Sequence, residues 1–86
     1  MSVPPFNLYI KPGCGWCDEA VDWLEARGYV YGEINVYADA AAYAEMKRIS
    51  GQTLCPTLAA GDEVLPDFDT DQLEQFLKER GWLAAA

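Results

Sequence analysis

Eighty-six residues make one small domain, too short for a doubly wound nucleotide-binding fold, a barrel enzyme or a multi-domain machine. Half of the chain is apolar (51%) and 13% is aromatic, enough for a real core and against disorder. The 6 basic and 14 acidic residues leave a net charge of −8, the wrong sign for nucleic acid or an anionic membrane, and the absence of histidine removes Ser/His/Asp, Cys/His and His-ligated metal chemistry.

Met1 to Phe6 lacks the charged start and apolar middle of a secretory signal, and no apolar run approaches the roughly 20 residues that span a bilayer. The expectation is a cytoplasmic protein with no membrane partner, a monomer, folded as one domain over residues 1–86. Met1 to Pro5 and the tail Ala84 to Ala86 are expected to fray.

Asn7 to Lys11 (NLYIK) alternates and is β-prone, and Pro12-Gly13 stops it. Cys14 to Arg27 reads as a helix with Cys17, Val21 and Leu24 on one stripe and Asp18, Glu19, Asp22 and Glu25 on the wet side, ending at Gly28. Tyr29 to Tyr37 reads as a second strand. Asp39 caps a helix from Ala40 to Ile49 that Ser50-Gly51 ends. Thr57 to Ala60 and Glu63 to Leu65 flank the hairpin turn Gly61-Asp62. A last helix runs from about Asp69 to Arg80, with an Asp69/Gln72 capping box and a Leu73, Phe76, Leu77 stripe, and stops at Gly81. This order predicts an α/β fold: a four-stranded mixed sheet (βαβαββα), its first two strands parallel, flanked by three helices. Trp23, Tyr31, Tyr43 and Phe76 belong to the core or its edge, and the acids Asp67, Asp69 and Asp71 read as a solvated helix start.

Three cysteines cannot all pair within the chain, and a secreted disulfide scaffold of this length would carry an even number. Cys14 and Cys17 form Cys-x-x-Cys at the start of a helix that follows a strand, the context of a redox motif. A zinc site built from four cysteines would need a second pair, which is absent. At the first helical turn, unpaired backbone N–H groups and the positive dipole end favour a Cys14 thiolate. Lys11 adds positive charge, the one basic residue not at a helix end, while Asp18 and Glu19 oppose it from one turn further in. Cys17 follows a full turn later as the more buried thiol. Helical Cβ atoms at this spacing lie about 5–6 Å apart, against about 3.8 Å in a disulfide, so a Cys14–Cys17 bond is expected to distort the turn and reduce easily.

Leu8 to Cys17 (LYIKPGCGWC), Glu33 to Val36 (EINV) and Arg48 to Thr57 (RISGQTLCPT) together resemble the glutaredoxin family of the thioredoxin superfamily, over nearly the whole chain. The resemblance implies a dithiol thiol–disulfide oxidoreductase that reduces protein disulfides or glutathione mixed disulfides. Cys14 would be the nucleophile, Cys17 the resolving thiol, and a cis peptide before Pro56 would lie against them. It also implies a substrate or glutathione site in which Lys11, Trp16, Thr53, Cys55, Pro56 and Asp69 are the candidates.

Several positions depart from the family pattern. Gly15 stands where proline is common, and Gln52 and Thr53 are neutral where a basic residue is frequent. Leu65-Pro66-Asp67-Phe68-Asp69 replaces a Gly-Gly pair that receives the glutathione γ-glutamyl carboxylate. Pro66 has no N–H to offer, and Asp67 and Asp69 repel a carboxylate, although either acid could hold the glutathione ammonium. A thioredoxin-reductase-type donor therefore stands beside glutathione as the source of electrons. Cys55 reads as a small buried hydrophobe, or else as a third thiol able to trap Cys14 or take up glutathione. Two other functions compete: a dimer bridging a [2Fe–2S] cluster with glutathione as extra ligands, since cluster iron takes four thiolates, and an interaction module with idle cysteines.

Overall fold

The computed structural model describes residues 3–83; the tail Ala84 to Ala86 and the first two residues lie outside them. Seven elements follow in order: β1 (Phe6–Ile10), α1 (Gly15–Ala26), β2 (Tyr31–Asn35), α2 (Ala40–Ser50), β3 (Thr57–Ala60), β4 (Glu63–Pro66) and α3 (Thr70–Glu79). The strands form one sheet in the order β2-β1-β3-β4. β1 pairs parallel with β2, placing Leu8 beside Glu33, and antiparallel with β3, placing Leu8 beside Leu58; β4 folds back antiparallel on β3.

The period of two along β1 splits the core into two layers. Phe6 and Leu8 point to one face, where they join Ala20 and Leu24 of α1, Leu58 and Ala60 of β3, Phe68, and Leu73, Phe76 and Leu77 of α3. Tyr9 points to the other face, with Val36, Met46 of α2 and all three cysteines. The site is thus built into the smaller of two cores rather than laid on a finished surface. On α1 the buried positions are Cys17, Ala20 and Leu24, with Val21 only half-buried.

Local signals set most boundaries. Asp39 accepts the N–H groups of Ala41 and Ala42 at the head of α2, and Gly51 closes that helix at φ +73°. Asp69 accepts the Gln72 N–H while Gln72 returns a bond to the Asp69 N–H, the reciprocal capping box. Gly61 takes φ +61° and Asp62 does not, the pattern of a type II′ hairpin turn.

Most boundaries fall within a residue of expectation, but β2 is shorter at both ends than the Tyr29 to Tyr37 span. β2 begins at Tyr31 because Tyr29 serves tertiary packing instead: its ring stacks on Phe6 and Trp23, and its hydroxyl donates to the Trp82 carbonyl at 2.7 Å. β2 ends at Asn35 because that side chain turns the backbone by accepting the Tyr37 N–H at 2.9 Å. The helix-end arginines also have individual partners. Arg27 lies 4.0 Å over the Trp23 ring, Arg48 pairs with Glu45, and Arg80 bonds Glu63 at 2.7 Å while covering Phe76.

Removing the α3 cap should be felt throughout so small a domain. Asp69→Ala is expected to cost about 1 kcal/mol, lowering the thermal midpoint by roughly 4–8 °C, as read by circular dichroism melting.

Candidate functional site

The end of β1, the Pro12-Gly13 turn and the start of α1 fix the first cysteine. Gly13 adopts φ +72°, a conformation that glycine reaches without steric cost, and turns the chain from strand into helix. Cys14 then occupies the N-cap of α1, one position earlier than expected, with extended backbone angles. Its sulfur takes the place of the usual capping oxygen and accepts the Cys17 backbone N–H at 3.2 Å. A free helix-end N–H aimed at sulfur stabilises negative charge there. Gly15 follows as the first helical residue with open space around the position of a β-carbon.

Cys17, one turn on, faces inward and is 1% exposed, against 9% for Cys14. Burial, followed by the hydrogen bond with Cys14, pushes the Cys17 thiol from 9.0 up to about 12. The charge of Cys14 raises it further, and only a backbone group of Lys11 pulls the other way. No bond joins any two of the three cysteines in this structure.

The second wall comes from the loop between α2 and β3, which carries a cis peptide between Cys55 and Pro56. Gln52 ties the loop down: its amide donates to Ser50 Oγ at 2.9 Å and to Thr57 Oγ1 at 3.0 Å, and its carbonyl accepts the Leu54 N–H. Thr57, fully buried, returns a bond to the Leu54 carbonyl at 2.9 Å. The loop thereby presents the Cys55 carbonyl to the Cys14 thiol, 3.8 Å away. The Cys55 thiol is raised, by burial first and the Cys14 charge second, with Lys11 acting in the lowering direction and Asp67 in the raising one.

The structure therefore gathers Cys14, Cys17, Cys55 and Pro56 at one place, with Lys11 half-buried close enough to act on two of the thiols. Trp16 projects beside them, 55% exposed, as does Leu54 at 51%. Thr53 is half-buried on the same loop. Asp69 is spent on the α3 cap, whereas Asp67, held at φ +46°, sends its field to Cys55. Two contributors escaped the sequence reading. Met46 lies 3.8 Å from the Cys55 sulfur, and Gln52, noted there only for its neutrality, anchors the loop. Neither hydrophobic pattern nor the spacing of the cysteines signals these side-chain contacts. Among the described residues no three Cys, Asp or Glu side chains converge to hold a metal ion. No helix among them is long and apolar enough to cross a membrane.

A strand, a cysteine at the helix cap, a second cysteine one turn on and an opposing cis-proline loop define a thioredoxin-like fold with a dithiol site. A crystallised thioredoxin-like protein superimposes with a TM-score of 0.77 at 28% identity, covering 84% of this chain and 99% of its own. The Escherichia coli glutaredoxin-like protein NrdH-redoxin, known for a thioredoxin-like activity profile, superimposes with a TM-score of 0.70 at 28% identity, over 83% of this chain and 92% of its own.

Within that class the family is specific. The glutaredoxin family model matches residues 7–65, and a glutaredoxin of Neisseria meningitidis is 35% identical over 71 residues, 80% of this chain and 84% of its own length. The chain belongs to the glutaredoxin family.

The elevated Cys17 thiol has a stability consequence. The folded chain holds that proton more tightly than the unfolded one, so the contribution is complete below pH 9 and is lost as pH rises from 9 towards 12. Stability measured by urea unfolding should fall across this window, and less steeply in Cys17→Ala. The part that remains comes from the Cys55 thiol and the Tyr9 hydroxyl, both raised by burial, and from the Tyr31 hydroxyl, pushed up to about 12 by burial and Glu25.

Proposed function

We propose that this protein is a thiol–disulfide oxidoreductase that reduces disulfides in other proteins through Cys14 and Cys17. The observation that carries this reading is the unlike setting of the two thiols: one capped by an N–H at the helix end, the other buried and held protonated. The Cys14 thiolate attacks one sulfur of a substrate disulfide. The substrate S–S bond breaks, its first thiol leaves, and a mixed disulfide to Cys14 remains. Cys17 then loses its proton and attacks the Cys14 sulfur. The second substrate thiol leaves, and the chain is left with a Cys14–Cys17 disulfide, oxidised by the two electrons the substrate has gained.

The same geometry orders these steps. Two of the causes that hold Cys17 protonated are the hydrogen bond with Cys14 and the Cys14 charge. Both vanish when Cys14 is bonded to substrate, so Cys17 ionises more readily only once it is needed. Trp16 and Leu54, exposed on either side of the sulfur, give an apolar footing for a protein substrate. Lys11 acts as a positioning charge, and Thr53 and Pro56 form the rim that an extended substrate segment would follow.

For the source of electrons we favour a thioredoxin-reductase-type donor over glutathione. A γ-glutamyl carboxylate arriving at the end of β4 meets Pro66, which has no N–H, and the Asp67 carboxylate, while Asp69 is occupied by its cap. The thioredoxin-like profile described for the Escherichia coli neighbour points the same way.

Reduction of insulin disulfides tests both parts. Cys14→Ser should lose activity by on the order of 10³-fold or more, whereas Cys17→Ser should accumulate a substrate adduct visible by intact mass. Wild-type turnover should be faster with NADPH and thioredoxin reductase than with glutathione and glutathione reductase. A Cys14→Ser variant as active as wild type would refute the dithiol reading, and turnover with glutathione alone would refute the choice of donor.

A further inference from the structure

The reduction cycle uses two thiols and leaves Cys55 without a task. A buried cysteine is ordinarily an inert small hydrophobe, but the cluster around this one holds three other sulfurs. Cys55 is 7% exposed and packs in one cluster with Cys14, Cys17 and Met46. Its sulfur lies 3.8 Å from Met46 Sδ, and its carbonyl oxygen lies 3.8 Å from the Cys14 sulfur. Cys17 shares this buried cluster with both other thiols, and the acidity of Cys17 and of Cys55 each responds to the other. Cys17 therefore has two thiol neighbours, Cys14 at the N-cap of its own helix and Cys55 on the loop that packs into the same cluster. A metal ion would need all three sulfurs to converge on one point, which they do not; a disulfide needs only a pairwise approach.

We propose that Cys17 has two disulfide partners, and that the oxidised chain passes between a Cys14–Cys17 bond and a buried Cys17–Cys55 bond that leaves Cys14 free. In the exchange, Cys55 gives up its proton and its sulfur attacks Cys17 Sγ. The Cys17–Cys55 bond forms as the Cys14–Cys17 bond breaks, and the bonding pair leaves with the Cys14 sulfur, which can take up the proton. One disulfide replaces another, so no oxidant or reductant is consumed.

The consequence is a change of behaviour with oxidation. With Cys17 engaged by Cys55, a mixed disulfide on Cys14 has no internal resolving thiol. It is released only when another thiol, such as a second cysteine of the substrate, attacks it. The oxidised chain then shuffles substrate disulfides without a net gain or loss of electrons, while the reduced chain reduces them. This role deepens the proposed dithiol function and rests on it, although the Cys17–Cys55 bond can be tested alone.

Cys14→Ser, with Cys14→Ala as a second variant, removes the usual partner. Each is treated at low concentration with diamide, which takes two electrons and two protons from a thiol pair, and the monomer is digested with trypsin without reduction. Because Pro12 follows Lys11, Cys17 lies in the peptide ending at Arg27, and Cys55 lies in residues 49–78. The expected result is loss of both alkylatable thiols together with a cross-link between these two peptides. Adding Cys55→Ser should restore a free Cys17. In wild type, the same cross-link should rise together with haloacetamide labelling of Cys14. Two free thiols and no cross-link in both folded Cys14 variants would overturn the proposal and leave Cys55 a packing residue. Insulin reduction by wild type, run in parallel, reads the dithiol function separately, so either reading can fail without the other.

Discussion

The protein depends on one contact, the Cys17 backbone N–H held 3.2 Å from the Cys14 sulfur. A helix start leaves several N–H groups without partners, and most proteins satisfy them with a side-chain oxygen. Here sulfur takes that position, so the capping interaction and the chemistry are the same interaction. The contact also makes the two thiols unlike: the one that accepts the N–H lies at the helix end, and the one that supplies it is turned into the core. That asymmetry is what a directional exchange requires, since two equivalent thiols would compete for the first attack.

The remainder of the fold keeps this arrangement in place. β1 delivers the chain to the site from the middle of the sheet, paired on both sides, so the Pro12-Gly13 turn starts from a fixed point. The Gln52 and Thr57 network fixes the opposing loop without any charged group. Beneath both, Tyr9, Val36 and Met46 form an apolar floor that keeps water from Cys17. The chain as a whole carries a net charge of −8, so a partner with basic surface would be drawn to it.

Much of this was legible from sequence because it is local. The Asp39 cap, the Asp69/Gln72 box, the Gly51 stop and the Gly61-Asp62 turn are set by residues a few positions apart, and they lie where their chemistry places them. The ends of β2 were not, because Tyr29 is strand-prone by type but is claimed by Phe6, Trp23 and Trp82. The cis peptide before Pro56 came only through the family resemblance. The neighbourhood of Cys55 was least legible. Its contact with Met46 joins the end of a loop to a helix packed beneath it, and nothing in the spacing of the cysteines reveals that all three share one cluster.

The most direct measurement is limiting alkylation of the fully reduced chain at pH 7, with the labelled cysteine located by fragmentation mass spectrometry. The unequal setting of the thiols requires the first label to fall on Cys14, with Cys17 and Cys55 modified only after unfolding. Label spread evenly over the three cysteines, or falling first on Cys17, would contradict the account.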